Sequence, residues 1–131
     1  MFRVFLRWSP NVNRLRRPGW FSDRRCVENA LVAMKSAEST VTLVSDVTPS
    51  GEIADLDWDS AVRLPAGTNS GSFLRALDLA LDAALPGDVV YLLEQDYLHV
   101  GDALPVILDG LGITRRATSP SSMTRCTTGR C

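Results

Sequence analysis

Residues 89–93 read Val-Val-Tyr-Leu-Leu and run without a break into Glu94-Gln95-Asp96. A strand with one wet face alternates apolar and polar residues. A run without alternation belongs to a strand covered on both faces, as in the middle of a parallel sheet. The segment before it has another period. Phe73, Leu74, Leu77, Leu81, Ala84 and Leu85 line one face of a helix, and Pro86-Gly87 ends it. A helix delivering the chain into a covered strand is half of a βαβ unit.

The rest of the chain repeats this alternation. Residues 2–7, rich in aromatic and branched side chains, predict a first strand. Pro10, Pro18 and Gly19 keep the next stretch irregular, and Arg14, Arg16 and Arg17 make it basic. Ser22 suits an N-cap and Asp23 the positive end of a helix dipole. Val27, Ala30, Leu31 and Met34 then recur at helical spacing, predicting a helix over about 23–37. Residues 41–47 predict a second strand, closed by Pro49-Ser50-Gly51. The acidic segment 52–64 is ambiguous beyond a short strand near 61–64. After the turn-rich PAGTNSGS come the second helix and the covered strand, then a last helix over about 103–109 with Leu104, Ile107 and Leu108 inward. The expected fold is α/β, a three-layer, mostly parallel sheet with helices on both faces, over residues 1–113.

The 131 residues suffice for one ordinary domain. Hydrophobic residues at 45% and charged residues at 22% are the mixture of a globular protein. A net charge of −1 gives no reason to expect nucleic acid or an anionic membrane as partner. No apolar run is long enough for a membrane span, and the apolar start, broken by Arg3 and Arg7, is too short for a signal peptide. The expected location is therefore cytoplasmic, with no integral membrane segment. Cys26, Cys126 and Cys131 form neither a disulfide framework nor a zinc spacing, and Cys26 reads as a small core residue. Residues 114–131 hold four arginines, no acid and little to bury, so they read as a disordered or non-native basic tail.

In parallel sheets ligands bind at the carboxyl ends of the strands, where the polar residues of interest fall. Glu94 and Asp96, two apart in an extended segment, would face one ligand together. Two hard oxygen donors suit Mg2+ or Mn2+, which completes its shell with water and phosphate oxygens; the plainer reading is a solvated strand end. His99, the single histidine, is a third metal ligand or a residue satisfying nearby backbone. Asp46 ends the second strand and serves a ligand or caps a turn. Asn69 and Gly71 shape the loop into the second helix, with Ser72 as its expected cap. Arg14, Arg16 and Arg17 have the fork geometry that grips phosphate, although arginine runs are usually solvated surface. Trp20 and Phe21 read best as core anchors.

These features, in this order, resemble the nucleotide-binding half of a family-2-type glycosyltransferase with the GT-A fold. The resemblance covers residues 2–111. It rests on VVYLLEQD as apolar strand plus acidic triplet, on the helix introduced by GTNSGS, and on Asp46 ending VTLVSDV. The EQDYLH extension is similar to a subgroup of bacterial proteins whose triplet reads Glu-Asp-Asp, so Gln95 replaces an acid. The resemblance implies a nucleotide-diphosphate sugar donor, with Glu94 and Asp96 holding the metal on the diphosphate. It further implies Asp46 on the nucleoside, Asn69 under the nucleotide, Arg14 and Arg17 near phosphate, and an unknown acceptor. It also implies that an acceptor-binding half is missing and the chain is a truncated or frameshifted copy of doubtful activity. The alternative is a non-catalytic α/β module that binds a nucleotide or a protein. A dinucleotide-binding Rossmann domain is disfavoured because no Gly-x-Gly-x-x-Gly follows the first strand. A phosphate-accepting receiver is disfavoured because Arg7-Trp8-Ser9 stands where an acidic pair would be needed.

Overall fold

The structure is a computed structural model and describes residues 1–10, 17–49 and 51–113. Its elements are β1 (Phe2–Trp8), α1 (Asp23–Met34), β2 (Ser39–Ser45), α2 (Gly51–Ala54), β3 (Ser60–Arg63), α3 (Asn69–Ala83), β4 (Val89–Glu94) and α4 (Ala103–Gly110). The strands form one parallel sheet in the order β3-β2-β1-β4. In register, Phe2 lies beside Ser39 on one side and Val89 on the other, and Arg7 beside Val44 and Glu94.

The chain moves outward from β1 to β2 and β3, then returns across the sheet to place β4 on the far side of β1. Right-handed crossovers in opposite directions put their helices on opposite faces. Accordingly α1, α2 and α4 contribute Val27, Ile53 and Leu104 to the core on one face, while α3 contributes Ala76 and Ala80 on the other. The result is the three-layer α/β architecture expected from the alternation of periods.

The two faces are packed unequally. On the α1 face, Val4, Leu6, Leu43, Val27 and Met34 are wholly buried. On the α3 face the buried cluster consists of Phe5, Val44, Ala76 and Ala80. The helix turns Ser72, Ala76 and Ala80 toward the sheet, while its Phe73, Leu74 and Leu81 are 41%, 58% and 62% exposed, and Leu85, just beyond its end, is 64% exposed. The leucine-rich face read from the sequence therefore points outward. Small side chains let the α3 backbone lie close to the strands, and the large ones have no room beneath it.

β4 also departs from its expected place. It is an edge strand, paired with β1 alone among the described residues. Val90 and Leu92 pack toward the α3 cluster and Val89 and Tyr91 toward the α1 cluster, so both faces are partly covered. An unbroken apolar run reports covering on two faces and says nothing about pairing on two edges. Other boundaries shift by small amounts. α1 stops at Met34, with the Lys35 N–H on Leu31 O, and β2 starts at Ser39. The ambiguous acidic segment holds α2, whose Ile53 is buried. Trp58 Nε1 donates to Ile53 O at 2.8 Å, which fastens that segment to α2. No helix among the described residues is long and apolar enough to cross a membrane.

Candidate functional site

The carboxyl ends of β1, β2 and β4 converge at the loop leading into α3. Gly67, at φ 72°, turns the chain, and Thr68 caps the helix, its Oγ1 accepting from the Gly71 N–H at 3.0 Å. A Cβ on Gly71 would lie 2.9 Å from Thr68 Oγ1 and 3.2 Å from Ala66 O, so this close turn requires glycine. Thr68, not Ser72, is the cap; Ser72 is buried and lines the adjoining cavity.

That cavity has a volume of about 510 Å3 and is lined by Arg7, Ser9, Asp46, Thr68, Asn69 and Ser72, among others. Sites for small molecules commonly occupy such volumes. Arg7 forms its floor. The guanidinium is buried, with Nη1 donating to Asn69 O at 2.9 Å and to Asn69 Oδ1 at 2.6 Å, and Nη2 donating to Glu94 Oε1 at 2.5 Å. A second chain of hydrogen bonds joins the ends of the strands. Gln95 Oε1 accepts from the Ser9 N–H at 2.6 Å, and Ser9 Oγ donates to Asp46 Oδ2 at 3.0 Å. Asp46 Oδ1 is buried with no partner, as are Gln95 Nε2 and Trp8 Nε1. An unpaired buried polar atom costs about 1–3 kcal/mol, so three near one end of a sheet mark hydrogen-bonding capacity left for something else.

Asp46 and Asn69 thus both line one cavity. The acidic triplet is arranged differently from a straight extension of the strand. β4 ends at Glu94, and Gln95 and Asp96 form a turn, so the strand alternation that would align the two carboxylates stops between them. Gln95 is buried against Ser9, and Asp96 is exposed. Its charge still reaches the α1 face. Burial pushes the Cys26 thiol pKa up, and Asp23 and then Asp96 add to that shift.

His99 goes elsewhere. Its backbone N–H donates to Asn29 Oδ1 at 2.6 Å, and its carbonyl accepts from Asn29 Nδ2 at 3.0 Å, which ties the loop after β4 to α1. The imidazole meets the Tyr91 ring edge-on, with Nε2 3.4 Å from the hydroxyl, and burial lowers its pKa. Tyr91 belongs to the α1 face, whereas Glu94 pairs with Arg7, which also holds Asn69 at the start of α3, so His99 and Glu94 are not brought together. Among the described residues no group of three His, Cys, Asp or Glu side chains is placed to hold a metal. Mg2+ held by one or two carboxylates plus phosphate oxygens needs no such cage, and the exposed Asp96 carboxylate suits that mode.

Arg17 pairs with Asp23 at 2.5 Å and lies 4.1 Å over the Phe21 ring, bracing the start of α1. Trp20 is 65% exposed and packs against Phe21, so it does not anchor the core. Arg14 and Arg16 lie outside the described residues, as does the segment 114–131. The residues that sequence reasoning missed are Arg7 and Ser9. Arg7 had a partial signal: it follows Arg3 and Phe5 at period two, which sets it on the sheet face of Phe5 and leaves its partner on β4 unspecified.

No family model, no curated protein and no solved structure matches the chain.

Proposed function

We propose that the domain binds a nucleotide-diphosphate sugar in this cavity, as the donor-binding part of a glycosyltransferase acting on an unknown acceptor. The observation that supports this reading best is the meeting of Asp46 and Arg7 on one cavity at the carboxyl edge of a parallel sheet. Two of the residues lining this space of ligand size are Asp46, with one carboxylate oxygen unpartnered, and Arg7, a buried cation. Asp46 Oδ1 accepts a hydrogen bond from the nucleoside, and Arg7, Thr68 and Asn69 meet its polar groups. Asp96 and Glu94 are the carboxylates that would hold Mg2+ or Mn2+. When bound, that cation neutralises charge developing on a departing diphosphate.

Calorimetry with UDP- and GDP-sugars, with and without Mn2+, tests the reading, with Asp96→Ala as the control. Metal-dependent binding that Asp96→Ala weakens about tenfold or more is the expected result. A folded protein that binds no nucleotide-sugar under any of these conditions refutes it.

One observation favours a second reading, a non-catalytic nucleotide-binding module. Glu94 is already neutralised by Arg7 at 2.5 Å, so a cation stands at the site without any metal. In that case nucleotide binds equally well in chelator, and Asp96→Ala changes nothing.

A further inference from the structure

α3 buries its small residues and exposes its large ones. Leu74, Leu77 and Leu81 follow one another at three- and four-residue intervals within α3, so they form a single stripe down the helix. Leu74 and Leu81 fall within about 20° of one another around the axis at about 100° per residue. Both are more than half exposed, Phe73 widens the stripe at its start, and Leu85, just past the helix end, is exposed beside it. An apolar band of this kind on a well-packed helix is a contact surface awaiting a partner.

The charges beside the stripe say which partner. Arg75, Asp78 and Asp82 all lie along one flank and are exposed. If two such helices meet face to face about a two-fold axis perpendicular to them, the same flank of each comes together and runs in opposite directions. With the axis near Asp78–Leu79, Arg75 stands opposite Asp82 of the partner subunit, and symmetry makes the pair twice. The leucines around the axis fall into mutual register in the same arrangement. Residues 114–131 are a poor alternative occupant, since Met123 is their single large apolar side chain.

We infer that two copies of this chain associate through α3, antiparallel, with the Leu74–Leu81 stripe as the buried seam and Arg75–Asp82 pairs as its register. Arg75 also donates to Pro65 O of its own chain, which holds its side chain on this flank. The weak point of the seam is Asp78, whose copies approach each other near the axis.

Sedimentation equilibrium on the full chain tests the inference. The wild type is expected at twice the 14.3 kDa chain mass at tens of micromolar. Leu81→Lys is expected to weaken association about 100-fold or more. Its circular dichroism stays unchanged, because Leu81 is already exposed in the single copy. Arg75→Asp weakens association by about tenfold through two like-charged contacts, and adding Asp82→Arg to it restores wild-type association. Asp78→Ala tightens it. A wild type that is monomeric at 100 µM overturns the inference. So does a dimer indifferent to Leu81→Lys, which would place its contact on another surface, and so does a charge swap that fails to restore association.

Discussion

The two ends of the sheet treat their polar groups in opposite ways. At the amino end, Asp88 is saturated. Its Oδ1 accepts from the Met1 ammonium at 3.0 Å, and its Oδ2 from Arg3 Nε at 2.5 Å and the Leu85 N–H at 3.0 Å. The Leu85 backbone bond, then Arg3 and the Met1 ammonium, hold the Asp88 carboxyl well below the usual carboxylate range. At the carboxyl end, Trp8 Nε1, Asp46 Oδ1 and Gln95 Nε2 are buried and unpaired. One end uses its hydrogen-bonding capacity to close the fold, and the other leaves capacity unused, part of it at Asp46 on the cavity. A chain that was merely folding would have little reason to keep the second arrangement, since each orphan weakens it.

Substitutions at the two ends should separate stability from binding. The largest effect is expected from Arg7→Ala, which removes three hydrogen bonds and leaves Glu94 and Asn69 without their common partner. It should cost about 2–3 kcal/mol in chemical denaturation and lower nucleotide affinity at least about tenfold in calorimetry. Asp46→Ala should lower affinity by about tenfold, or about 1.4 kcal/mol, while thermal melting moves little, because the lost Ser9 bond is offset by removal of an orphaned oxygen. If affinity survives, the cavity is not the site.

Asp88→Asn should do the reverse, lowering Tm at pH 7 with binding unchanged. Because the folded Asp88 pKa lies below its unfolded value, its contribution is complete above about pH 4 and fades as pH falls through the folded value. The gap in Tm between the two proteins should therefore narrow steadily under acid. Smallest is Ser9→Ala, expected to shift nucleotide affinity two- to threefold, about 0.5 kcal/mol, by releasing Asp46 Oδ2.

The sequence made the layers legible and the site only in part. α1 and α4 announce themselves because their apolar residues repeat at the helical period, and β1, β2 and β4 because they are short runs rich in branched, aromatic or apolar side chains. α2 is one turn long, too short for any period to register. The outward face of α3 was misread for a physical reason. Hydrophobic periodicity identifies the apolar side of a helix, and this helix has two such sides, one of Ala and Ser and one of Leu. Asp46 and Asn69 could be placed because strand ends and helix starts are local features. Arg7 could not, since its meaning depends on Glu94, and only the assembled sheet sets those residues side by side. Gln95, which the resemblance marks only as the replacement of an acid, is the buried link to Ser9.

The position of β1 bears on how the molecule comes to be folded. It is the middle of the sheet in space, yet its two neighbours are contributed at very different distances along the chain. β2 follows after a single helix, whereas Arg7 and Glu94 are 87 residues apart. The β1–β2 half is thus cheap to close, and the last strand must be captured across nearly the whole described length. Such topology should make refolding slow, on the order of milliseconds to seconds, with attachment of β4 limiting the rate. During that interval one flank of the central strand stands open, and the opportunity for a wrong partner is greatest there.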